Sequence, residues 1–284
     1  IIEREVGDFS EEDLIPEEEA IISISRDGYI KRISVDAYRQ QKRGGKGLKT
    51  VTKEDDEPAH LFQVNTHHFV LFFTDRGRVF KLRAYDLPES TRYSRGMPLI
   101  NYIAMDGGER VTAAVSVKNI KADGYLTMIT RKGEIKRTAM EKFSNIRSNG
   151  LKAFDIEDGD ELGWVLVTRG EDDIILVAQL GLSIRFNETL ARDRGRTAGW
   201  VRAMRLGDDD ILVGADVVRE GSTLLVVGTN GFGKRTNLDD YRTQGRGGKG
   251  ILTMNVTDKT GVIVSGEVVD EDDRLLVLTA KGKG

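Results

Sequence analysis

Between Tyr125 and Arg137 the chain reads YLTMITRKGEIKR. Six residues rich in apolar and β-branched side chains enter a short glycine turn, and a second extended segment leaves it with two bases. That order predicts a β-hairpin. Five further stretches have the same form: AIISISRDGYIKR (20–32), FVLFFTDRGRVFK (69–81), IILVAQLGLSIR (174–185), LLVVGTNGFGKR (224–235) and LLVLTAKGKG (275–284). Their turn glycines are Gly28, Gly77, Gly133, Gly181, Gly231 and Gly282, so the unit recurs about every fifty residues. Four positions after each of the first five glycines stands a base: Arg32, Lys81, Arg137, Arg185 and Arg235.

Outward from each hairpin the pattern continues. A turn residue lies near Gly47, Pro98, Gly150, Gly199 and Gly250, followed by Leu48, Leu99, Leu151, Trp200 and Ile251. Strand-like runs such as RVTAAVSV, ELGWVLVT and GVIVSGEVV fill the remainder, giving about four strands per unit. VDAYRQQ, LDDYRTQ and AMEKF allow a helical turn or two at most. All-β units of this length, repeated in tandem, predict a propeller or solenoid. The expected fold is all-β and propeller-like, built from five or six four-stranded repeats. Repeats start near residues 20, 69, 125, 173, 223 and 274, with the sixth cut short at Gly284.

The chain has 284 residues, 39% of them hydrophobic, and no cysteine, which excludes disulfides and thiolate metal sites. No apolar run approaches the roughly 18 residues of a membrane helix. The net charge of −3 hides an asymmetry. Residues 1–20 hold nine acids and one base; the rest holds 42 bases against 37 acids. Residues 1–17 therefore read as an acidic linker or arm, and 18–284 as one domain. The remaining acids clump, as in DIEDGDE (155–161) and DDD (208–210), leaving other stretches to the bases.

Two of those basic stretches match. QKRGGKG comprises Gln41, Lys42, Arg43, Gly44, Gly45, Lys46 and Gly47; QGRGGKG comprises Gln244, Gly245, Arg246, Gly247, Gly248, Lys249 and Gly250. Each starts thirteen residues after its turn glycine and follows a Tyr-Arg pair, with Arg39 and Arg242. Paired glycines let a backbone turn tightly and approach a ligand, and cations beside them suit a polyanion with regular phosphates. A nucleotide P-loop does not fit: Ile251 and Leu252 stand where Lys-Ser/Thr is required after the glycine spacing. The bland alternative, a solvated cationic turn, does not account for two copies at one repeat phase.

QKRGGKG resembles the GyrA box, Q(R/K)RGG(R/K)G, found in the C-terminal domain of DNA gyrase A proteins. The flanks IPEEEAIISISRDGYIKRISVDAYR and GFGKRTNLDDYRTQGRGGKGILT are similar to that family too, and the resemblance runs from about Glu17 to the end. The second copy departs at Gly245, where a base is expected. YSRGMP, IRSNG and DRGRTAG look like degenerate versions. The resemblance implies a six-bladed β-pinwheel whose blades exchange strands, and duplex DNA wrapped on its rim in a positive, right-handed sense, so that the holoenzyme introduces negative supercoils. It implies that Gln41–Gly47 are needed for the wrap. Further rim cations expected to meet phosphates are Lys31, Arg32, Arg39, Lys81, Arg95, Lys136, Arg137, Arg147, Arg185, Arg192, Arg194, Arg196, Lys234, Arg235 and Arg242.

The partners so implied are double-stranded DNA, bound largely without sequence preference, the rest of the gyrase A protein, and gyrase B. The expected location is the cytoplasm, on the nucleoid, with no membrane contact and a monomeric domain. No catalytic residue, metal or cofactor is assigned; ATP and Mg²⁺ would act elsewhere in the holoenzyme. The histidines are His60, His67 and His68 only, and they read as packing or rim residues. The rival readings are the matching domain of topoisomerase IV, which binds DNA without a strong wrap, and a protein-interaction propeller.

Overall fold

The computed structural model describes residues 11–38 and 57–277. Every predicted hairpin within this range is present. Glu19–Ser25 pairs with Tyr29–Ser34, Phe69–Thr74 with Arg78–Arg83, Tyr125–Thr130 with Glu134–Ala139, Asp173–Ala178 with Leu182–Asn187, and Thr223–Gly228 with Gly233–Asn237. The turn glycines Gly28, Gly77, Gly133, Gly181 and Gly231 all have φ between 72° and 109°. That region is open to glycine and strained for other residues, which is why the turn letter repeats.

A third strand from the same repeat flanks each hairpin: Pro58–Asn65, Val111–Val117, Leu162–Thr168, Leu212–Val217 and Ile263–Val269. These five lie side by side in chain order and form the inner layer. The fourth strand is short and comes from the following repeat. Met97–Pro98 adds to Tyr29–Ser34, Leu151–Lys152 to Arg78–Arg83, Val201–Arg202 to Glu134–Ala139, and Ile251–Leu252 to Leu182–Asn187. Each repeat thus completes the outer edge of the blade before it. The expected helical stretches are single 3-10 turns, Val35–Ala37, Met140–Phe143 and Leu238–Asp240.

The expectation of six blades is corrected to five sheets among the described residues. Four are four-stranded and the fifth is three-stranded. A blade needs three strands of its own and one from the next repeat. Arg274–Val277 carries no strand, and the remainder of the sixth stretch lies outside the described residues.

Stacking explains why the middle strands lack the polar alternation of a one-sided sheet. Val70 and Phe72 face the first blade's Ile22, Ile24 and Val64; Leu71 and Phe73 face the third blade's Leu126 and Met128. Ile174 and Leu176 pack toward the third blade, Ile175 and Val177 toward the fifth. Successive side chains point to opposite faces, and both faces are buried. FVLFFT is therefore apolar throughout because it is central in the stack.

The acid clumps have local work. Asp160 accepts from the Lys132 amide at 3.0 Å and Asp210 from the Leu180 amide at 3.1 Å. Each satisfies a turn N–H of its own blade's hairpin. Asp160 and Asp210 thereby sit beside hairpin turns. Of the arm expected over 1–17, residues 1–10 lie outside the described range. Beyond them, the Thr66 hydroxyl donates to Pro16 O at 2.8 Å, and Glu12 lies 3.5 Å from Arg83.

Candidate nucleic-acid interface

The segment preceding each donated strand lies along the outer edge of the previous blade. Parallel bridges join Arg32 to Glu89, Arg137 to Asp193 and Arg185 to Thr243. Among the described residues, YSRGMP, IRSNG, DRGRTAG and QGRGGKG fall on these outer loops. Gln41–Gly47 and Arg39 lie outside the described residues; the second copy is fully placed.

In that copy the glycines answer to packing. The Gln244 amide donates to Arg185 O at 2.8 Å and the Gly247 amide to Ala203 O at 2.7 Å. Gly248 O accepts from the Arg205 amide at 2.8 Å. Gly250 has φ 84°, and a Cβ there would overlap the Ser183 carbonyl oxygen. Gly96 and Gly150 end their own loops with φ 84° and 79° and are similarly crowded, by Ile30 O and by the Phe80 ring. The terminal glycine thus brings the donated strand into register. Gly250→Ala is expected to destabilise the fold by more than about 2 kcal/mol. Gly195→Ala, in open space, should stay within about 0.5 kcal/mol. Parallel denaturant melts of the two variants check this.

The bases on the outgoing strands of the hairpins are engaged by groups of the protein itself. Lys31 Nζ donates to Arg92 O at 2.8 Å and Ser94 O at 3.0 Å, and Lys234 Nζ to Thr253 O at 3.1 Å. Lys136, 1% exposed, donates to Ala153 O and Arg196 O and lies 5.0 Å from the Trp200 ring centre. At the same position in the second and fourth blades stand Phe80 and Ile184, each under the next repeat's loop. This site supports the loop from below, by ammonium or by hydrocarbon.

One residue on, Arg32 Nε donates to Leu87 O at 2.8 Å. Arg137, 7% exposed, bonds Gly170 O at 3.1 Å and buried Glu188 at 3.2 Å. Arg185 pairs with Asp173 at 2.8 Å and Leu238 O at 3.0 Å, Arg235 with Glu271 at 2.9 Å, and Lys81 lies over Phe69. Arg32, Arg137 and Arg185 join their hairpins to the next repeat's loop.

Burial holds the Lys136 pKa down at about 8. The unfolded chain therefore binds more protons between about pH 8 and 10.5, and this group favours folding increasingly as pH rises through that window. Stability of the wild type relative to Lys136→Met is expected to improve from about pH 8 to pH 10, read by denaturant melts at each pH.

The outward-facing cations lie on the loops themselves. Arg147, Arg192, Arg242 and Lys249 are exposed; Arg194 is half-buried, with Gly199 O at 3.3 Å. Arg95 is exposed too, stacked on Tyr29 at 3.7 Å and 3.3 Å from Asp27. Arg196 and Arg246 bond carbonyls of the preceding repeat. Exposed Lys152, Arg202 and Arg205 join this outer set without having been singled out in the sequence. The signal was a base directly after the apolar residue that opens the donated strand, in Leu151-Lys152 and Val201-Arg202. Among the described residues, no group of three or more His, Asp or Glu is placed to hold a metal ion. His67 contacts Ile15 O at 2.7 Å and His68 contacts Ser116 at 3.0 Å.

Comparison with known proteins bears on this arrangement of blades and loops. The family model described as DNA gyrase C-terminal domain, beta-propeller matches five times, at residues 19–65, 68–118, 124–169, 172–219 and 222–270. The chain belongs to this gyrase C-terminal domain family. The DNA gyrase A protein of Clostridium acetobutylicum is 45% identical over 282 residues, 99% of this chain and 34% of that protein. Its counterpart in Mycolicibacterium smegmatis is 41% identical over 279 residues, 97% of this chain and 33% of that protein. The chain spans about a third of the length of these relatives. A solved DNA gyrase A C-terminal domain superposes with a TM-score of 0.84 at 26% identity, covering 94% of this chain and 88% of the other. A topoisomerase IV C-terminal domain shares the fold at TM-score 0.66 and 23% identity, over 90% of this chain and 79% of the other.

Proposed function

We propose that this gyrase C-terminal domain binds duplex DNA along its outer loops and bends it around the rim in a positive, right-handed sense. The observation that carries the reading is the series of outer loops, each laid on the previous blade and each offering exposed cations, while Asp160 and Asp210 cap hairpin turns. DNA carries one charge per ~1.7 Å of axis, so such a rim meets phosphates along its length. The exposed groups are loop cations, and among the described residues no helix is presented to a groove, so the contacts are to backbone and the sequence preference is weak. Bending 20–30 base pairs by 40–90° costs about 1–6 kcal/mol, which several blades together offset.

The wrap would let a gyrase holoenzyme, built from the rest of gyrase A together with gyrase B, introduce negative supercoils. In this reading ATP and Mg²⁺ act in those other parts, the domain is a monomer in the bacterial cytoplasm, and Gln41–Gly47 contribute most strongly to the wrap. Among the described residues no helix is long and apolar enough to cross a membrane.

The test is a comparison of substitutions in DNA titrations at several salt concentrations. Arg192→Ala with Lys249→Ala is expected to lower the slope of log affinity against log salt by about two. Lys136→Met, which alters an inward-facing base, should leave the slope unchanged. Equal slopes in all three proteins would sink the assignment of the contacts to the outer loops.

A further inference from the structure

Five residues before the donated strand, three of the described repeats carry an arginine: Arg92 before Met97, Arg196 before Val201 and Arg246 before Ile251. Each guanidinium reaches back to the preceding repeat. Arg92 Nη1 donates to Ala37 O at 3.3 Å, at the end of that repeat's 3-10 turn. Arg196 Nη1 donates to Lys152 O, within the preceding donated strand. Arg246 does both. Its Nε donates to Leu190 O at 3.0 Å, at the 3-10 turn, and its Nη1 to Arg202 O, in the donated strand. Ala37 and Leu190 stand at the same distance past their turn glycines, as do Lys152 and Arg202 within their strands.

The accepting groups are neutral backbone carbonyls. The fork geometry of the guanidinium, with donors on separate nitrogens, spans two of them; an ammonium offers one point. Around Arg246 the join is reinforced by Gly247 N–H to Ala203 O and Arg205 N–H to Gly248 O. In the third repeat the same position is Ile146, which packs against the apolar core between the second and third blades. There Arg78 of the second repeat reaches forward to Asn149 O at 3.2 Å.

We infer that Arg92, Arg196 and Arg246 are positioning residues of the rim: each fixes the offset between its own outer loop and the loop before it. They set the path offered to a bound polyanion, and the exposed cations beside them make the contacts. The consequence for DNA rests on the function proposed above; the loop-to-loop join does not.

The test uses Arg246→Lys, Arg246→Ala and Lys249→Ala in the 284-residue chain. Without DNA, amide exchange at Gly247 and Arg205 is expected to speed up at least tenfold in both Arg246 variants, with amides of the middle strands unchanged. With nicked plasmid sealed by ligase, the linking-number change per bound chain should fall by at least half in both, while the salt slope stays as in the wild type. Lys249→Ala should do the reverse, lowering the slope by about one with Gly247 and Arg205 still protected. The inference is overturned if Gly247 and Arg205 stay protected in both Arg246 variants. It is also overturned if Arg246→Lys keeps the full linking change while Arg246→Ala lowers the slope, since the arginine then acts as a charge. A wild type that binds no DNA would remove the proposed function, and the join would be judged on amide exchange alone.

Discussion

Affinity of this domain for duplex DNA is expected to fall by roughly 10³–10⁵-fold between about 50 and 200 mM salt. The figure follows from where the cations sit. Among the described residues, eight of the exposed bases on or beside the outer loops and donated strands are Arg95, Arg147, Lys152, Arg192, Arg202, Arg205, Arg242 and Lys249. Each phosphate they neutralise releases counterions, so eight contacts give a slope of log affinity against log salt of about −7. Lys152 also has Asp155 at 2.7 Å, and Arg95 has Asp27, which lowers their share at equilibrium. The inward bases, Lys136 and Arg137 foremost, are held by carbonyls and by Glu188 and add nothing to the slope. Titrations with unrelated duplexes of equal length should superpose, because contacts to phosphate carry no sequence. A slope shallower than about −3, or strong preference for one duplex, would contradict this distribution of contacts.

The second large effect concerns folding. Arg78→Ala is expected to destabilise the domain by about 3–5 kcal/mol. Arg78 donates from Nε and Nη2 to Glu109, whose side chain is fully buried. Thr74 Oγ1 at 2.6 Å and the Asp106 amide at 2.9 Å complete the carboxylate's partners. Removing the guanidinium leaves a buried charge with two neutral donors. Burial opposes ionisation of Glu109, but the bonds from Arg78, Thr74 and the Asp106 amide outweigh it and hold the pKa at about 2. A depressed carboxyl pKa contributes stability that is present above the unfolded value of about 4.5 and is lost as pH falls toward 2. The window is worth about 3 kcal/mol at 1.36 kcal/mol per unit. Wild-type stability should therefore drop between about pH 4.5 and pH 2, and Arg78→Ala should lose much of that dependence. Denaturant melts across this range check both statements. Unchanged stability of Arg78→Ala at neutral pH would refute the account of the buried pair.

Much of this architecture was legible in the sequence because the repeat is written in local physics. A turn glycine with positive φ and an apolar run buried on both faces are properties of single segments, and they recur visibly. The donated strands were less legible. Met97–Pro98 and Ile251–Leu252 are two residues long, too short to show a period, and the edge they join belongs to another repeat. The number of blades depended on that exchange, since a repeat start is not a blade until its neighbour completes it.

The site was legible in part for a related reason. A base four residues after every turn glycine is a strong regularity, but regularity does not say which way the side chain faces. Arg32, Arg137 and Arg185 recur because each ties a hairpin to the next repeat's loop. Lys136 and Phe80 occupy one structural position with opposite chemistry, which no charge pattern would have aligned. The glycines of Gln244–Gly250 read as room for a ligand; in the fold Gly250 makes room for the neighbouring backbone and Gly247 takes a positive φ. Lys152 and Arg202 escaped notice because a lone base after an apolar residue is common in any sequence.

The rim is expected to bend DNA with a fixed hand. The most direct measurement of this is the linking number of nicked circular DNA sealed by ligase in the presence of this domain and then freed of protein. A positive change is expected, growing with bound domain and shrinking when Arg43 and Lys46 are replaced by alanine. A linking number unchanged at saturating protein, with binding demonstrated on the same circles, would contradict it.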